Sequence, residues 1–401
     1  MLVTRGRTRL GHSPRRERHD VVVVGGGAHG LATAYYLARD HGIRDVAVLE
    51  RSYIGSGGSG RNTTTLRANY KTPETIAFYR RSLELYRGLS EELEYNTLMS
   101  TRGLLWLAHS RRELRLQRER SELNVLLGVD TEFIGPDRVA ELCPVLDMSG
   151  GGHHPILGAS FHPAGAVIRH DAVVWGYAAA ARRLGVHIHE RTPVVRVVVE
   201  RGRCVGVETE AGRIDAGAVV LALGGYVSPL AGTAGLTLPI TTHPLQAFVT
   251  EACAPMLDPI ITSADLLVYV SQTSRGELLV GAEIERYPSQ STRSTQHFIS
   301  STAARCIDLI PAMSRMRVRR AWTGLCDMTP DYSPIMGATD VADLFLTSGW
   351  GTWGFKAVPA GGKSLAAHVA TRQAPELIAP FALDRFESGR LVSERSSAGT
   401  H

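Results

Sequence analysis

The sequence predicts an α/β fold in which a helix-covered parallel sheet is interrupted along the chain by the segments of a second, α+β domain. Three segments carry this prediction. Residues 20–50 read as strand, glycine turn, helix and strand, residues 194–222 as three successive strands, and residues 344–363 as a strand, a glycine-rich loop and a helix. The first pattern is typical of parallel strands and the second of antiparallel strands, so we expect both pairings in one chain.

The first segment, DVVVVGGGAHGLATAYYLARDHGIRDVAVLE, has the pattern of a dinucleotide site. Val21–Val24 and Val46–Leu49 are apolar runs typical of strands buried on both faces. Between them, Gly25, Gly27 and Gly30 form G-x-G-x-x-G. The first glycine allows a tight turn, the second lets the backbone approach a pyrophosphate, and the third lets the helix pack on the strand.

A helix and an acidic residue complete this unit. We expect the helix to run from Ala28 to about Asp40, with the backbone amides of Ala28 and His29 at its positive end facing the phosphates. Glu50 follows the last glycine by about 20 residues, where a carboxylate can accept a hydrogen bond from a ribose hydroxyl. Arg51 lies next to it and is assigned to the same site.

The three successive strands decide which dinucleotide is expected. An NAD-type domain would continue with alternating helices and parallel strands, whereas VVRVVVE, CVGVETE and IDAGAVVLALGG read as a β-meander. A meander leading into A-x-x-V-V-L-A-x-G is similar to the glutathione-reductase type of FAD-binding Rossmann domain. We therefore predict FAD and assign Val195 and Gly224 to its site. In the helix before the meander, Asp171 is the expected N-cap and Gly185 the expected end.

The third segment is LFLTSGWGTWGFKAVPAGGK. A strand at Leu344–Leu346 leads into three glycines and then Lys356, with a helix expected from about Ala360. A glycine-rich loop permits close approach to a flat ring, and a lysine within it can place a fixed positive charge there. The alternative is a surface turn with a solvated lysine.

Composition bounds the protein class. With 44% apolar residues, a chain of this length can bury the cores of two domains. No segment approaches the ~20 apolar residues of a membrane span, and no secretory signal is evident. Five scattered cysteines without C-x-x-C favour a cytoplasmic location and no structural metal.

Charge is concentrated in two segments. Six arginines precede the first strand and, with the net charge of +5, predict a disordered basic tail at 1–19. Nucleic-acid binding is not expected, because no aromatic residues or binding motif accompany these arginines. RRELRLQRERSEL, at 111–123, is a mixed-charge helical run, interpreted as a solvated face or as a surface that meets a partner subunit.

These patterns predict two interleaved domains and a C-terminal tail. The FAD-binding domain is expected to take residues 20–90, 150–228 and 322–390, the substrate domain residues 91–149 and 229–321, and the tail residues 391–401. The substrate domain should be built on a mixed sheet that covers the flavin and encloses a pocket at the domain boundary.

The chain resembles the glycine oxidase, D-amino-acid oxidase and sarcosine oxidase family, and within it the β subunits of heterotetrameric sarcosine oxidases. The matching segments run through residues 20 to about 390. They are GGGAHGLATAYYLARDHGI, GRNTTTLRANY, RHDAVVWGYA, HPLQAFV, YVSQTSRGELLVGAEI, TPDYSPIMG and SGWGTWGFK.

The resemblance implies oxidation of a small secondary amine or N-methyl amino acid by hydride transfer to FAD. It places the carboxylate-holding role on Arg67 and Lys356, although Arg67 could instead be an ordinary surface arginine. The remaining residues that it assigns to the flavin site are Arg61, Asn62, Thr63, Thr64, Gly351, Gly354 and Phe355.

The resemblance also implies a second flavin and a partner. The R-H-D segment corresponds to the place where these β subunits carry covalent FMN on histidine, here His170, within a complex containing an α-type subunit. Read without the resemblance, His170 is a structural histidine just before a helix. His187 and His189 share a strand face, but nothing suggests a third metal ligand.

Three departures qualify the resemblance. Cys326 is two places from the position at which single-subunit sarcosine oxidases attach FAD, so non-covalent FAD is expected. ELLVG lacks their oxygen-activating lysine, which favours electron transfer to a second flavin. Trp353 stands where the β subunits usually have glycine, and its bulk weighs against sarcosine itself as the substrate. The alternatives are a stand-alone amino-acid oxidase or dehydrogenase and a non-catalytic flavin-binding subunit.

Overall fold

The structure is a computed structural model that describes residues 16–282 and 284–394. Most of the predicted basic tail and residues 395–401 of the predicted C-terminal tail lie outside the described residues. Among the described residues, no helix combines the length and apolar character needed to cross a membrane.

The strands of the described residues are β1 (Arg18–Val24), β2 (Val46–Leu49), β3 (Thr65–Leu66), β4 (Ser100–Thr101), β5 (Leu104–Ala108), β6 (Glu132–Ile134), β7 (Gly158–His162), β8 (Ala166–Val167), β9 (His187–His189), β10 (Val194–Glu200), β11 (Arg203–Thr209), β12 (Gly212–Leu221), β13 (Thr241–Ala252), β14 (Ile260–Ser263), β15 (Val268–Gln272), β16 (Glu277–Ala282), β17 (Val318–Met328), β18 (Ile335–Ala338) and β19 (Leu344–Ser348). The helices are α1 (Ala28–His41), α2 (Pro73–Glu92), α3 (Arg111–Leu126), α4 (Pro136–Leu142), α5 (His170–Arg183), α6 (Val227–Gly232), α7 (Gln296–Leu309), α8 (Val358–Thr371) and α9 (Arg385–Ser388).

The first sheet has a parallel centre in the order β9-β2-β1-β12-β19, with β18 antiparallel to β19 at one edge. The predicted meander is confirmed, because β10, β11 and β12 pair antiparallel in succession and β12 then joins β1. The predicted FAD-binding Rossmann architecture of the glutathione-reductase type is therefore present.

Helices α1, α5 and α8 cover one face of this sheet. Their contacts are close: a Cβ on Gly362 would lie 2.5 Å from the Ala32 Cβ, so only glycine lets α8 approach α1 this closely. The hydroxyls of Tyr36 and Tyr177 meet at 3.3 Å between α1 and α5. Leu221, Val207 and other apolar residues form a second core on the opposite face, against α6.

The second sheet is mixed and runs in the order β17-β13-β16-β15-β14-β5-β7-β6. Only β14 and β5 pair in parallel in this part of the described chain. Phe248, Leu278 and Phe298 are among the buried residues that pack this sheet against α7. The strands β3, β8 and β4 form a separate, small antiparallel sheet in that order.

Two strands of the second sheet lie, wholly or in part, in segments that the sequence-based boundaries gave to the FAD-binding domain. β7 pairs with β5 and β6, and the whole length of β17 pairs with β13, so residues 158–162 and 322–328 belong to the second sheet. The assignment of these residues to a sheet depends on which strands pair, and this cannot be predicted from the spacing of the motifs along the chain.

Helix ends also differ from the sequence-based expectation. α5 begins at His170 with Arg169 as the N-cap, and Asp171 lies inside the first turn, where its carboxylate pairs with Arg169 at 2.6 Å. Asp171 is therefore not the cap, whereas Gly185 ends the helix with a positive φ, as predicted. Helix α8 begins at Val358, two residues before the expected start.

The two segments expected to be solvent-exposed are partly buried. α3 occupies the mixed-charge run, yet Gln117 and Arg120 on it are only 2% and 3% exposed, so this run is not simply a solvated face. At the C-terminus, Val392 and Glu394 are buried and hydrogen-bonded to the rest of the protein, so residues 391–394 are not a free tail.

Candidate active site

A cavity of about 480 Å³ lies between the two sheets. Its floor includes Val24, Leu49 and Thr347, which stand at or near the carboxyl ends of the parallel strands β1, β2 and β19. Trp106 and Leu245 from the second sheet line the opposite side. Ligands of open α/β sheets bind outside the carboxyl ends of the strands, so this cavity is the candidate active site.

The glycine turn closes one end of the cavity. Gly25 has φ +115°, and a Cβ there would lie 2.3 Å from the Ala222 carbonyl oxygen. A Cβ on Gly30 would lie 2.0 Å from the Gly25 carbonyl oxygen, so these two glycines are required for chain packing. Gly27 lines the cavity, and the Oγ of Ser59 lies 3.1 Å from the place of its missing Cβ.

Glu50 lines the same end and is held in a fixed orientation. Its Oε2 accepts from the Gly26 backbone amide at 2.9 Å, and its Oε1 accepts from the Ser52 amide at 2.9 Å. Arg51 also lines the cavity, with its guanidinium 3.8 Å from the ring centre of Tyr226. The hydroxyl of Ser56 also donates to Oε1, at 3.3 Å, so Oε2 is the oxygen of Glu50 with a lone pair left for a further donor.

A second glycine-rich loop, GSGGSG at 55–60, forms the next part of the wall. Its Ser59 accepts from the Ala28 amide at 2.9 Å, which ties the loop to the start of α1. The side chains of Arg61 and Asn62 donate back to carbonyls of the loop, and Thr64 donates its amide to Asn62 at 2.8 Å. The predicted stretch 61–64 lines the cavity throughout.

The loop that carries Lys356 is fixed from two sides. Asp327, at the end of β17, accepts the amide of Gly349 at 2.6 Å, and its carbonyl accepts the amide of Gly351 at 3.0 Å. Burial raises the pKa of the Asp327 carboxyl to about 6. On the other side, the Nε2 of His29 donates to the Gly354 carbonyl at 2.8 Å. Burial lowers the pKa of His29 to about 4, so its ring is neutral.

Arg67 is buried in the cavity wall and only 3% exposed, so it is not a surface arginine. Its guanidinium carbon lies 4.0 Å from the ring centre of Tyr70, 4.9 Å from that of Trp106 and 5.2 Å from that of Trp353. Nη1 donates to the Asn69 carbonyl and, at 3.2 Å, to its side-chain oxygen. Nη2 is buried without a hydrogen-bond partner among the described residues, so it is the nitrogen left for a ligand.

Lys356 lies in the same wall, where Nζ donates to the Thr352 carbonyl at 3.2 Å. Burial, and then the charge of Arg67, lower the pKa of this lysine to about 7. The backbone carbonyls of Lys356 and Phe355 accept from Ser82, at 2.6 Å, and from Tyr86 on α2. Two buried cations therefore face one cavity, in a place where a ligand carboxylate would be stabilised.

Four predicted site residues do not line the cavity. Ala28 and Gly30 are buried at the start of α1, where they support the glycine turn. Val195 is 51% exposed on β10, and Pro193 and Val194 contribute to the wall in its place. Val194 and Val195 differ in this way because neighbouring residues of a strand face opposite sides. His170 lies outside the cavity, half-buried at the start of α5.

Sequence reasoning missed several residues of the site. Ser59 could have been found, because GSGGSG is itself a glycine-rich signal next to the polar stretch. Asp327 carries no such signal, since a carboxylate that holds backbone amides needs no special spacing. Arg120 lies behind the cavity, 4.3 Å from the ring centre of Trp106, with its pKa lowered to about 10 by burial and by the charge of Arg67.

The residues present fit FAD. A cradle whose glycines leave no room for a Cβ, an α-helix N-terminus and an oriented carboxylate stand at one end of the cavity. The neutral His29, the glycine loop and Lys356 stand at the other. When bound, FAD supplies the hydride acceptor. The family model for FAD dependent oxidoreductases matches residues 20–368.

The chain belongs to the FAD dependent oxidoreductase family. It is 42% identical to the sarcosine oxidase subunit beta of Arthrobacter sp over 383 residues, covering 96% of this chain and 95% of that protein. It is 43% identical to the subunit beta of Rhizobium meliloti (strain 1021) over 381 residues, covering 95% and 91%. The family resemblance predicted from the sequence is confirmed.

Solved structures of this family superimpose closely. L-proline dehydrogenase from P. horikoshii aligns with a TM-score of 0.88 at 28% identity, covering 94% of this chain and all of that one. Glycine oxidase from Geobacillus kaustophilus aligns with a TM-score of 0.83 at 25% identity, covering 92% and 99%. The predicted fold class is therefore confirmed, as is the prediction of an FAD-dependent amine oxidoreductase.

In the described part of the chain, no three His, Cys, Asp or Glu side chains are grouped to hold a metal ion. All five cysteines are free. Cys326 lines the cavity near Lys356, and burial raises the pKa of its thiol, which keeps it protonated and a poor nucleophile.

Proposed function

We propose that the chain oxidises a small secondary amine bearing a carboxylate, a sarcosine-like N-methyl amino acid, whose carboxylate is held by Arg67 and Lys356. The observation that carries this proposal is the pair of buried cations in one cavity wall. Nη1 of Arg67 is engaged by Asn69, so the carboxylate is expected to take one contact from Nη2 and a second from Lys356 Nζ.

The same cations favour the reactive form of the substrate. Transfer of a hydride equivalent from the carbon next to nitrogen requires an unprotonated amine. Nearby positive charges and burial both disfavour an ammonium group, so a cavity containing Arg67 and Lys356 lowers the pKa of a bound amine. One pair of residues can thus orient the substrate and promote loss of its proton.

FAD is expected to be held without a covalent bond. The protonated state of the Cys326 thiol and the fit of the glycine turn support this part of the proposal.

We also propose that the chain works as the β-type subunit of a larger complex with an α-type subunit, with FMN attached to His170. Relatives that match nearly its whole length are named as subunit beta. Burial lowers the pKa of His170, which favours the neutral, nucleophilic imidazole. The carboxylate of Asp171 opposes this shift, and the charges of Arg169 and Arg320 add to it. A cytoplasmic location belongs to the same proposal and agrees with five free thiols.

Anaerobic mixing of the FAD-loaded protein with N-methyl amino acids tests the reaction through loss of flavin absorbance. Lys356→Met should slow flavin reduction at least ~10-fold, because a charge-assisted contact in a buried site is worth about 1.5 to 3 kcal/mol. Lys363→Met is the matched control, since Lys363 is half-exposed on α8 and pairs with Asp40 at 3.6 Å.

Equal reduction rates in the Lys356→Met variant and the wild type would remove Lys356 from the substrate site. If no small amine bleaches the flavin in the complete complex, the non-catalytic alternative is favoured. Full activity and rapid reoxidation by a quinone or carrier in the isolated chain would favour the stand-alone enzyme.

A further inference from the structure

Trp353 is held rigidly in the cavity wall. Its indole Nε1 donates to the Tyr332 carbonyl at 2.9 Å, and its backbone amide donates to the Trp350 carbonyl at 2.9 Å. Its ring meets Tyr70 edge-to-face, with centroids 5.3 Å apart, and Tyr70 stacks on Tyr79 at 3.9 Å. The indole is 3% exposed, so it has little freedom to move aside for a ligand.

The ring lies beside both cations of the proposed carboxylate site. Its centre is 5.2 Å from the Arg67 guanidinium carbon and 5.8 Å from Lys356 Nζ. In a ligand whose carboxylate is bound by these two groups, the α-carbon is bonded to the carboxylate carbon at ~1.5 Å, so it lies in the same part of the cavity. Trp106, 4.9 Å from the same guanidinium carbon, bounds the site on another side.

We propose that Trp353 is a specificity-determining residue that limits the substituent on the carbon bonded to the substrate carboxylate. The inference rests on the proposed carboxylate site and names the substrate class more closely. N-substituted glycines, whose α-carbon carries only hydrogen, are accepted. The bulk of Trp353 therefore acts against a substituent on the α-carbon and not, as expected from the sequence, against sarcosine itself. Amino acids with a side chain on that carbon meet the fixed indole and are disfavoured.

The expected size of this effect follows from packing. One additional carbon in a tight apolar pocket changes affinity by about 10 to 200-fold. A wall that can shift would give less discrimination, but Trp353 is anchored at its Nε1, its backbone and its ring face. Removing the side chain should therefore relieve the restriction on the α-carbon and leave Arg67 Nη2 and Lys356 Nζ available.

A pair of inert ligands separates binding from turnover. The first ligand is methoxyacetate, and the second is 2-methoxypropionate, tested as each enantiomer. The second has one additional methyl on the carbon bonded to the carboxylate, and none of these compounds contains an oxidisable amine. Isothermal titration calorimetry of the FAD-loaded protein should show that methoxyacetate binds at least ~10-fold more tightly than either enantiomer of 2-methoxypropionate. In Trp353→Gly the ratio of the two affinities, methoxyacetate to 2-methoxypropionate, should fall to about threefold or less. Trp353→Phe keeps a ring but loses the Nε1 anchor and part of the bulk, so its ratio of affinities should lie between those of the wild type and Trp353→Gly.

Equal affinity of the wild-type protein for both ligands would overturn the inference while leaving the carboxylate site intact. If neither methoxyacetate nor 2-methoxypropionate binds, the carboxylate site and the inference that rests on it are both refuted. A ratio unchanged in Trp353→Gly would assign the discrimination to another wall and overturn the role of Trp353. If Trp353→Gly does not fold, Trp353→Ala is measured against Trp353→Phe with the same criteria.

Discussion

Lys356 illustrates how burial sets the working range of a single residue. Its pKa of about 7 arises from desolvation and from the nearby charge of Arg67, not from a hydrogen bond to an acid. Near neutral pH the ammonium and amine forms are both populated. Binding of an anion therefore depends on which form is present.

We expect the affinity for an inert carboxylate such as methoxyacetate to fall as pH rises above about 7, because the ligand requires charged Lys356. The limiting slope is about tenfold per pH unit. Lys356→Arg stays charged and should bind with little pH dependence, and Lys356→Met should bind weakly at every pH. Calorimetry between pH 6 and 9 measures this, and a flat wild-type profile would contradict it.

Asp327 shows the opposite shift, and its sign gives a second test. The pKa is raised from 3.8 in the unfolded chain to about 6 in the folded protein. The stability that this group contributes is therefore present below about pH 4 and is lost as pH rises through about 6.

Asp327→Asn lacks this titration. The unfolding free energy of the wild type, relative to the variant, should fall by about 1–3 kcal/mol between pH 4 and pH 7. Urea unfolding at saturating FAD checks it. A constant difference across this pH range would mean that the carboxylate is not desolvated as the structure shows.

At the scale of elements, the C-terminal segment and α2 stabilise each other. The carboxylate of Glu394 is fully buried at the start of α2, where it accepts from the amide of Lys71 at 3.1 Å and from the hydroxyl of Thr75 at 2.8 Å. The carboxylate of Asp331 anchors the same segment through the amide of Val392 and pairs with buried Arg385 at 2.8 Å. Because α2 holds the Lys356 loop through Ser82, the C-terminal segment supports the site indirectly.

Glu394→Ala should lower the free energy of unfolding by about 1–3 kcal/mol, because it leaves buried donors at the start of α2 unpaired. Glu74→Ala is the matched control, since Glu74 lies in the same first turn but is exposed, and it should change stability by less than ~0.5 kcal/mol. Chemical denaturation compares the two. Equal effects would show that Glu394 acts only through the helix dipole.

Elements with a strong local signal were predicted well from the sequence. The strand pair around the glycine turn, α1 and the meander follow from apolar runs and glycine spacing, and the structure contains all of them. β1 begins at Arg18, three residues before the predicted Val21, so Arg18 and His19 belong to the sheet and not to the predicted tail. α3 was predicted as a helix, but its buried face was not, because Arg120 becomes buried only when the second sheet supplies Trp106. A local sequence pattern cannot predict which residue from a distant part of the chain will pack against a helix.

At the scale of the whole molecule, the proposed complex predicts a modified histidine. His170 lies outside the FAD cavity, so a flavin attached there would be distinct from the FAD. We expect FMN on His170 only when a partner chain completes its site. Mass spectrometry of acid-denatured native complex should find the FMN mass on the peptide that contains His170, while non-covalent FAD is released.

The isolated chain, without its partner, is the control and should carry the unmodified peptide. An unmodified His170 in a fully active complex would make the histidine structural and favour the stand-alone enzyme.

The sequence by itself determined the dinucleotide fold, the FAD assignment and the family, because these depend on residues that are close along the chain. It also identified Arg67 and Lys356, through motifs that match a family. Only the tertiary structure decided that Arg67 Nη1 is engaged by Asn69, that Asp327 holds the glycine loop and that Trp353 packs beside both cations. The Asp327 contact and the approach of Trp353 to Arg67 join separate segments of the chain. The Arg67–Asn69 contact is local, but like the others it lies in a buried wall that exists only after the two sheets have come together.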